Sequence, residues 1–249
     1  MTDAANPMTP PGDDGLLRLL TAGEVVAQQL HPRASNYTFV VRLRGEDGLE
    51  ADAIYKPCKG EAPLWDFPEG TLYRRERATY VLAQALGWDF VPTTIVRDGP
   101  YGVGVMQRYV DHQPQDHYFT LKDDHLADFQ RMCLFDLLAN NADRKAGHCL
   151  LGVDGHIWGI DHGLTFHTEA KLRTVIWDFA GEPVPPELAE DIRGFLGRLA
   201  SGDPLAQELG ELLHPREMEA LRDRLELLAE HPVFPEPSAT RRSWPWPMV

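Results

Sequence analysis

The chain has 249 residues and a formal net charge of −14, with 43% hydrophobic and 25% charged residues, which are ordinary values for a globular protein. The negative charge argues against a nucleic-acid-binding protein or one that binds anionic membranes, because both need a basic surface. The N terminus has no signal-peptide pattern, and no apolar run approaches the roughly 18 residues of a membrane span. We therefore expect a cytoplasmic protein without stable membrane insertion.

Residue patterns predict a β-rich first half and a mostly helical second half. Residues 17–30 favour a helix, or a short strand followed by a helix. Strands 36–43 and 50–55 form a predicted hairpin, because β-branched and aromatic residues flank a glycine-containing turn. Apolar spacing predicts a helix over 74–86 that ends at Gly87. Further strands are predicted at 90–96 and 102–110, and further helices at 124–139, 186–199, 204–213 and 216–230.

The order of these elements predicts the domain organisation. Residues 1–14 are rich in Pro, Gly and Asp and are expected to be disordered. Residues 15–110 form a predicted N-lobe, and residues 111–235 a predicted C-lobe. The tail, 236–249, is expected either to be disordered or to dock through its two tryptophans. A β-rich lobe with one helix, followed by a helical lobe, indicates an α+β, two-lobe protein-kinase-like fold with a nucleotide between the lobes.

Two carboxylates flank a short predicted hairpin in the second half. Asp143 follows the 124–139 helix, and Asp161 follows the second of two apolar strands, 149–151 and 156–160. The hairpin brings both acids to the same end, which is how kinases place a catalytic acid beside a metal-binding acid. Each acid alone is also typical of a turn or cap, but their joint occurrence favours a catalytic site.

Phosphoryl transfer also needs a lysine at the phosphates and a carboxylate that holds it. Lys56 ends the 50–55 strand, and Glu76 lies on the following helix. The alternatives are a solvated strand-end lysine and a surface charge cluster of Glu76 with its arginine neighbours. Asp136 lies on the apolar face of its helix and needs hydrogen-bond partners. We expect these to be backbone N–H groups of the 140–148 loop.

These residues resemble motifs of the phosphatidylinositol 3-/4-kinase-like superfamily. The pattern Asp136-x4-Asn141-Ala-Asp143-Arg144-x3-His148 resembles its D-x4-N-x-D-R-x3-N catalytic loop. Residues 159–166, GIDHGLTF, resemble its I-D-N-G-L-x-F metal motif, and residues 105–110, VMQRYV, are similar to its linker strand. Within the superfamily, the resemblance is to type II phosphatidylinositol 4-kinases and their bacterial relatives, which include HipA-like kinases and the SCO1664-like family.

The resemblance implies a role for each matching residue. Asp143 would be the catalytic acid, His148 and Asp161 would hold Mg²⁺ or Mn²⁺, and Lys56 would bind ATP phosphates with Glu76 as its partner. The remaining implied nucleotide contacts are Gln107, Tyr109 and Val110 at the adenine, and Ser35, Asn36 and Tyr37 over the phosphates, where a G-x-G-x-x-G loop is absent.

One departure from the pattern concerns the metal. The family has asparagine where this chain has His148. Imidazole is a poor ligand for Mg²⁺ but an acceptable one for Mn²⁺. His148 therefore predicts either a changed metal preference or a non-ligating, inactive variant. A lipid acceptor is not expected, because the chain has no basic amphipathic stretch and no cysteine cluster for palmitoylation.

The leading hypothesis is an ATP-dependent phosphotransferase acting on a hydroxyl of an unknown protein or small molecule. The alternatives are a nucleotide-binding pseudokinase or scaffold, and an AMP transferase on the same fold. A metal-dependent hydrolase is the weakest rival, because the ten histidines show no HExxH or HxH spacing.

Overall fold

The structure is a computed structural model that describes residues 13–31 and 36–249. Contacts between residues divide the chain into two compact units. Among the described residues, the first unit comprises 13–31, 36–62 and 93–109, and the second comprises 63–92 and 110–249. The helix that the sequence assigns to the N-lobe therefore groups with the C-terminal unit. The predicted lobe boundary near residue 110 stays a prediction.

The first unit is an antiparallel sheet covered by a helix. Helix α1 (Asp13–Ala22) includes Asp13 and Asp14, the last two residues of the segment predicted to be disordered, so that prediction is wrong for these two residues. The strands are β1 (Glu24–Leu30), β2 (Phe39–Arg44), β3 (Glu50–Pro57), β4 (Thr94–Gly99) and β5 (Gly102–Arg108). Their order in the sheet is β1-β2-β3-β5-β4, with every neighbouring pair antiparallel.

Alternation along the strands builds the core of the first unit. Val41 and Leu43 of β2 lie fully buried beside Ala53 and Tyr55 of β3, because residues two apart share a face. Leucines of α1, spaced three and four apart, pack on this face and complete the cluster. The β2–β3 hairpin predicted from the sequence is confirmed.

The second unit is mostly helical and contains one short hairpin. Its helices are α2 (Leu72–Leu86), α3 (Tyr118–Leu121), α4 (Leu126–Ala139), α5 (Pro186–Ser201), α6 (Pro204–Leu212) and α7 (Pro215–Glu230). The hairpin pairs β6 (Cys149–Leu151) with β7 (Ile157–Gly159). A shared hydrophobic cluster runs through α2, α4, α5 and α7 and reaches the hairpin at Cys149 and Ile157. The helices predicted here are found within a few residues of their expected bounds.

Two strands are shorter in the structure than the sequence predicts. Strand β4 starts at Thr94 rather than at residue 90, because Phe90 packs edge-on against Phe135 of the second unit, with ring centroids 5.0 Å apart. Its carbonyl accepts a hydrogen bond from Gly159 N–H at 2.8 Å. Strand β5 ends at Arg108 rather than at residue 110, because Val110 packs with Leu150 and Trp158. Apolar residues that resemble strand formers are here used for tertiary packing.

The tail docks, but not through both tryptophans. Ser243 is buried, and its carbonyl accepts hydrogen bonds from Thr174 N–H and Trp177 Nε1–H, both at 3.1 Å. The Met248 carbonyl accepts one from Ala146 N–H at 2.7 Å. Trp246 is 77% exposed. The prediction of docking by two indole rings is therefore wrong for Trp246. Trp244 does contact Trp177, with ring centroids 6.2 Å apart, and backbone carbonyls make the hydrogen bonds.

Within the described ranges, no helix has both the length and the apolar character that crossing a bilayer requires.

Candidate active site

A buried ion pair organises the 140–148 loop that follows α4. Asp136, in the last turn of α4, and Arg144 both have fully buried side chains. Arg144 Nη2 lies 2.9 Å from Asp136 Oδ1, and Arg144 Nε lies 2.9 Å from Oδ2. Asn141 Nδ2 also donates to Oδ1, at 2.9 Å. Such a bidentate, additionally bonded pair meets the requirement that a buried charge be fully satisfied.

The prediction that backbone N–H groups of the 140–148 loop satisfy the Asp136 carboxylate is wrong. Its carboxylate is bonded by side chains, those of Asn141, Arg144 and, at 3.4 Å, Thr174. The backbone N–H groups of the loop serve the turn itself, as in the bond from Asn141 N–H to the Asp136 carbonyl at 2.9 Å. The residues concerned are nevertheless those of the D-x4-N-x-D-R pattern.

Arg144 also ties the loop to the segment after the hairpin. Its Nη1 donates to the Ile160 carbonyl at 3.0 Å, and its Nη2 lies 2.7 Å from His162 Nε2. Because a guanidinium has no acceptor, Nε2 of His162 must be the acceptor. Backbone bonds from Ala142 N–H to the Leu164 carbonyl, at 2.8 Å, and from Phe166 N–H to the Ala139 carbonyl add to this attachment. The two predicted motifs thus form one framework.

Asp143 is partly exposed, whereas its neighbour Arg144 is fully buried. Its N–H donates to Asn141 Oδ1 at 3.0 Å, and its Oδ2 lies 3.1 Å from Lys145 Nζ. Its side chain keeps 26% exposure. Burial raises the pKa of Asp143 and outweighs the opposing effect of Lys145, while nearby Asp161 adds to the rise. A raised pKa in an accessible carboxyl group suits a general base.

Asp161 is held in an unusual backbone conformation. Its φ of 60° lies in the left-handed region, which a non-glycine residue adopts at a cost. The side chain is 51% exposed, and its Oδ2 lies 3.4 Å from Nε2 of His148. The structure therefore brings together the two residues predicted to hold a metal.

The ring of His148 has a second neighbour that bears on metal binding. Its Nδ1 accepts a long hydrogen bond, 3.4 Å, from Lys145 N–H. A neutral imidazole that accepts at Nδ1 carries its proton on Nε2, where it faces Asp161. Ligation of a metal through Nε2 needs the other tautomer and hence loss of the Lys145 bond.

The donor set fits a metal ion only in company with a nucleotide. Among the residues that the structure describes, no group of three or more His, Cys, Asp or Glu side chains is arranged to hold a metal ion. Mg²⁺ in phosphate-transferring sites is commonly held by one or two protein ligands, with phosphate oxygens and water completing its shell. Asp161 and His148 match that smaller protein contribution.

Glu76 and Lys56 lie in different units. Lys56 is at the end of β3 in the first unit, paired in register with Val105. Glu76 is on α2 in the second unit and is only 2% exposed. A Cβ built on Gly163 would lie 3.7 Å from its Oε1, so Glu76 adjoins the segment after Asp161.

The alternative of a surface charge cluster around Glu76 is wrong. Its neighbour Arg75 is also 2% exposed. Arg75 Nη1 donates to the Thr165 carbonyl, and its Nη2 pairs with Glu217 Oε1, each at 2.5 Å. These contacts anchor α2 to the segment after Asp161 and to α7.

The predicted adenine contacts occupy different environments. Gln107 is buried in β5, and its Nε2 donates to Thr94 Oγ1 at 2.8 Å. Tyr109 is 38% exposed, while Val110 is buried in the second unit. The side chains of Gln107 and Val110 are therefore engaged within the protein, and their roles as nucleotide contacts stay predictions.

The predicted phosphate cover is only partly visible. Ser35 lies outside the described residues. Asn36 Oδ1 accepts a hydrogen bond from Ala62 N–H at 2.9 Å, which gives this side chain a structural use. Tyr37 is 62% exposed, and its N–H donates to the Gly60 carbonyl at 3.1 Å.

The sequence pattern does not predict the structural roles of three residues around Asp143. Arg144 was treated as part of a motif, but the structure makes it the centre of the buried network. Its position directly after Asp143 was the available signal. Thr174 and Arg173 lie beside the loop, where the backbone of Arg173 bonds to Asn141 and Arg144. No local pattern marks these two, because they are some thirty residues away in the sequence.

Comparison with solved structures defines the class of fold. The Helicobacter pylori proinflammatory kinase CtkA matches with a TM-score of 0.50 and 12% identity, covering 85% of this chain and 93% of that one. Hydra Fam20 with sugar matches with a TM-score of 0.56 and 13% identity, covering 89% of each chain. At these identities the likeness concerns the fold alone. The predicted α+β protein-kinase-like fold is confirmed.

Comparison of sequences shows the family. The chain belongs to the same family as protein Rv2133c of Mycobacterium tuberculosis, with 38% identity over 265 residues, covering 92% of this chain and 94% of that protein. No model of a known protein family matches the chain.

Proposed function

We propose that this protein is an ATP-dependent phosphotransferase of the phosphatidylinositol 3-/4-kinase-like superfamily, acting on a hydroxyl of a protein or small molecule. The observation that carries the proposal is the buried Arg144 framework. It joins the loop bearing Asp143 to the segment bearing Asp161 and leaves both carboxylates accessible. The kinase-like fold supports the reaction class.

Asp143 would orient the acceptor hydroxyl and take its proton. The acceptor oxygen then bonds to the γ-phosphorus of ATP while the bond between that phosphorus and the bridging oxygen breaks. ADP leaves, and the phosphoryl group remains on the acceptor. The raised pKa of Asp143 makes this carboxylate a better proton acceptor than an ordinary aspartate.

Asp161 and His148 would hold Mg²⁺ or Mn²⁺, which when bound neutralises charge on the phosphates. Lys56 would bind the non-transferred phosphates, with Glu76 as its partner. Asn36, Tyr37, Gln107, Tyr109 and Val110 remain proposed nucleotide contacts, as does Ser35. Their support is the motif order in the sequence together with the kinase-like fold.

One observation favours a second candidate, a nucleotide-binding pseudokinase. The hydrogen bond to Nδ1 of His148 selects the tautomer whose Nε2 bears a proton, and that nitrogen faces Asp161. In this arrangement His148 is a donor to Asp161 and not a ligand. With Asp161 as the one protein ligand, the site would hold the metal and its nucleotide more weakly than a site in which His148 also binds the metal.

The test is a melting experiment followed by product identification. ATP with Mg²⁺ or Mn²⁺ should raise the melting temperature, since any ligand that binds only the folded state stabilises it. Labelled ATP, incubated with the protein and a cell lysate, should then yield acceptors that carry phosphate. Binding without transfer identifies the pseudokinase, and added AMP identifies the adenylyl transferase. The absence of any melting shift at millimolar ATP rejects the nucleotide site.

A further inference from the structure

The segment 171–175 runs directly alongside the loop that carries Asp143. Arg173 N–H donates to the Asn141 carbonyl at 2.9 Å, and the Arg173 carbonyl accepts from Arg144 N–H at 2.9 Å. Val175 N–H donates to the Arg144 carbonyl at 3.1 Å. Arg144 and Thr174 form a parallel bridge. The segment is therefore in fixed register with the loop.

Alternation about this bridge sorts the side chains onto two faces. Arg144 and Thr174 both reach the buried carboxylate of Asp136. Successive residues of extended backbone point to opposite sides. Asp143 and Arg173, one residue before each bridge partner, therefore share the other face. The Coulombic effect of Arg173 on Asp143, which lowers the pKa of that carboxyl group, agrees with this placement.

The guanidinium of Arg173 differs from the other buried or half-buried cations near the loop. Arg144 is bonded to Asp136, and Arg75 to Glu217. Lys145 is paired with Asp143. Arg173 is half-buried, and within residues 13–31 and 36–249 its side chain makes no hydrogen bond or ion pair. A half-buried cation with a planar fork of donors is suited to a phosphate or carboxylate.

We propose that Arg173 is a specificity-determining residue that binds an anionic group, phosphate or carboxylate, carried by the acceptor close to the hydroxyl presented to Asp143. The proposal rests on the proposed function, because only a phosphotransferase has an acceptor. Anion binding at Arg173 does not itself require catalysis. The acceptor class is thus an anionic hydroxyl compound. An alternative role, in which Arg173 only tunes Asp143, would affect neutral and anionic acceptors alike.

The experiment uses three probes with related hydroxyl groups: glycerol, glycerate and sn-glycerol 3-phosphate. Binding to the full chain is measured without ATP by NMR titration at low salt, and phosphate transfer is measured separately with ATP and metal. We expect the anionic probes to bind at least about tenfold more tightly than glycerol, and Arg173→Gln to remove that preference. The order of glycerate and glycerol 3-phosphate shows which anion the site takes.

Two variants serve as controls. Arg222→Gln removes the same charge from an exposed position on α7 and should leave the anion preference intact. Arg173→Lys retains the charge without the fork and should restore part of the preference. Equal binding of the three probes, an unchanged preference in Arg173→Gln, or an equal loss in Arg222→Gln overturns the proposal. Anion binding that depends on Arg173, with no transfer either to these probes or to any acceptor in the cell lysate, instead counts against the phosphotransferase and leaves the anion site standing.

Discussion

The two faces of the 140–148 loop use the same residue types for opposite purposes. The inner face consists of the side chains of Asp136 and Arg144. Both are fully buried, and two hydrogen bonds of 2.9 Å join them. On the outer face, Asp161 is half exposed and lies 3.4 Å from His148, while Asp143 keeps partial exposure beside Lys145. A buried charge has to be paired because its desolvation is costly, whereas a charge at the surface stays available to a ligand.

The largest effect on phosphate transfer is expected at Asp143, on the accessible face of the loop. Asp143→Asn removes the base and should lower phosphate transfer by about 10²–10⁴-fold while ATP binding persists. Transfer rates and ATP affinity are measured in parallel. Asp161→Asn should instead weaken metal-dependent ATP binding. Asp124→Asn, an exposed aspartate of the same unit, is the matched control and should change neither. Equal loss of ATP binding in both site variants would contradict the assigned roles.

The inner face is tested by breaking the buried pair. Arg144→Met leaves Asp136 buried without its cation, and the free energy of unfolding should fall by about 3–5 kcal/mol. Urea denaturation measures this. Adding Asp136→Leu removes the unpaired charge and should recover part of the loss; the rest remains because Asn141 Nδ2 and the Ile160 carbonyl lose their partners. Arg131→Gln, which breaks a half-exposed pair with Asp128 on the same helix, should cost less than about 1 kcal/mol. A cost in Arg144→Met no larger than this control would refute a structural role for the inner face.

The C-terminal tail also contacts the 140–148 loop and the segment beside it, so it contributes to the buried face. Deleting residues 243–249 removes the carbonyl acceptors of Thr174 and Ala146, whose backbone is buried. Loss of each of these hydrogen bonds costs about 0.5–1.5 kcal/mol, so the melting temperature should fall. Trp246→Ala changes a side chain that is 77% exposed and should have little effect. A loss in Trp246→Ala as large as that in the deletion would show that the indole ring, and not the backbone, holds the tail.

A smaller effect is expected at His148. If its nitrogen binds the metal, Mn²⁺ supports more transfer than Mg²⁺, and His148→Asn moves the ratio toward Mg²⁺ by about tenfold, because magnesium prefers oxygen ligands. Activity is measured with each metal in both proteins. An unchanged ratio identifies His148 as the donor to Asp161 that its hydrogen bond to Lys145 favours.

The smallest effect concerns pH. Because burial raises the pKa of Asp143 in the folded state, the native protein gives up this proton at higher pH than the unfolded chain does. The ionised carboxylate therefore destabilises the fold above the raised pKa, and this cost disappears as pH falls below the ordinary value of 3.8. Asp143→Asn should be at least as stable as the wild type at pH 7, with the difference vanishing in acid. A wild type that is clearly the more stable at pH 7 would mean that the Lys145 pair outweighs burial.

Local pattern predicted the parts of the site that lie within one short stretch. The α4 helix, the β6–β7 hairpin and the two acids that flank it occupy residues 126–161, and their spacing alone places Asp143 and Asp161 near each other. The partners of Asp136 were misjudged, because a side chain eight residues away satisfies the carboxylate in place of the nearer backbone groups. Segment 171–175 was not anticipated, because its contact with the loop depends on tertiary folding.

The sequence by itself determined the order of elements, the apolar faces and the pair of acidic motifs, since periodicity and turn chemistry are local properties of the chain. Only the tertiary structure decided which charges are buried and which remain open. It left Arg144 fully buried and Arg173 half-buried, although both arginines lie at the same loop. It also assigned Phe90 and Val110 to packing instead of strands. The physical reason is that burial and pairing depend on residues distant in sequence, and no local pattern records them.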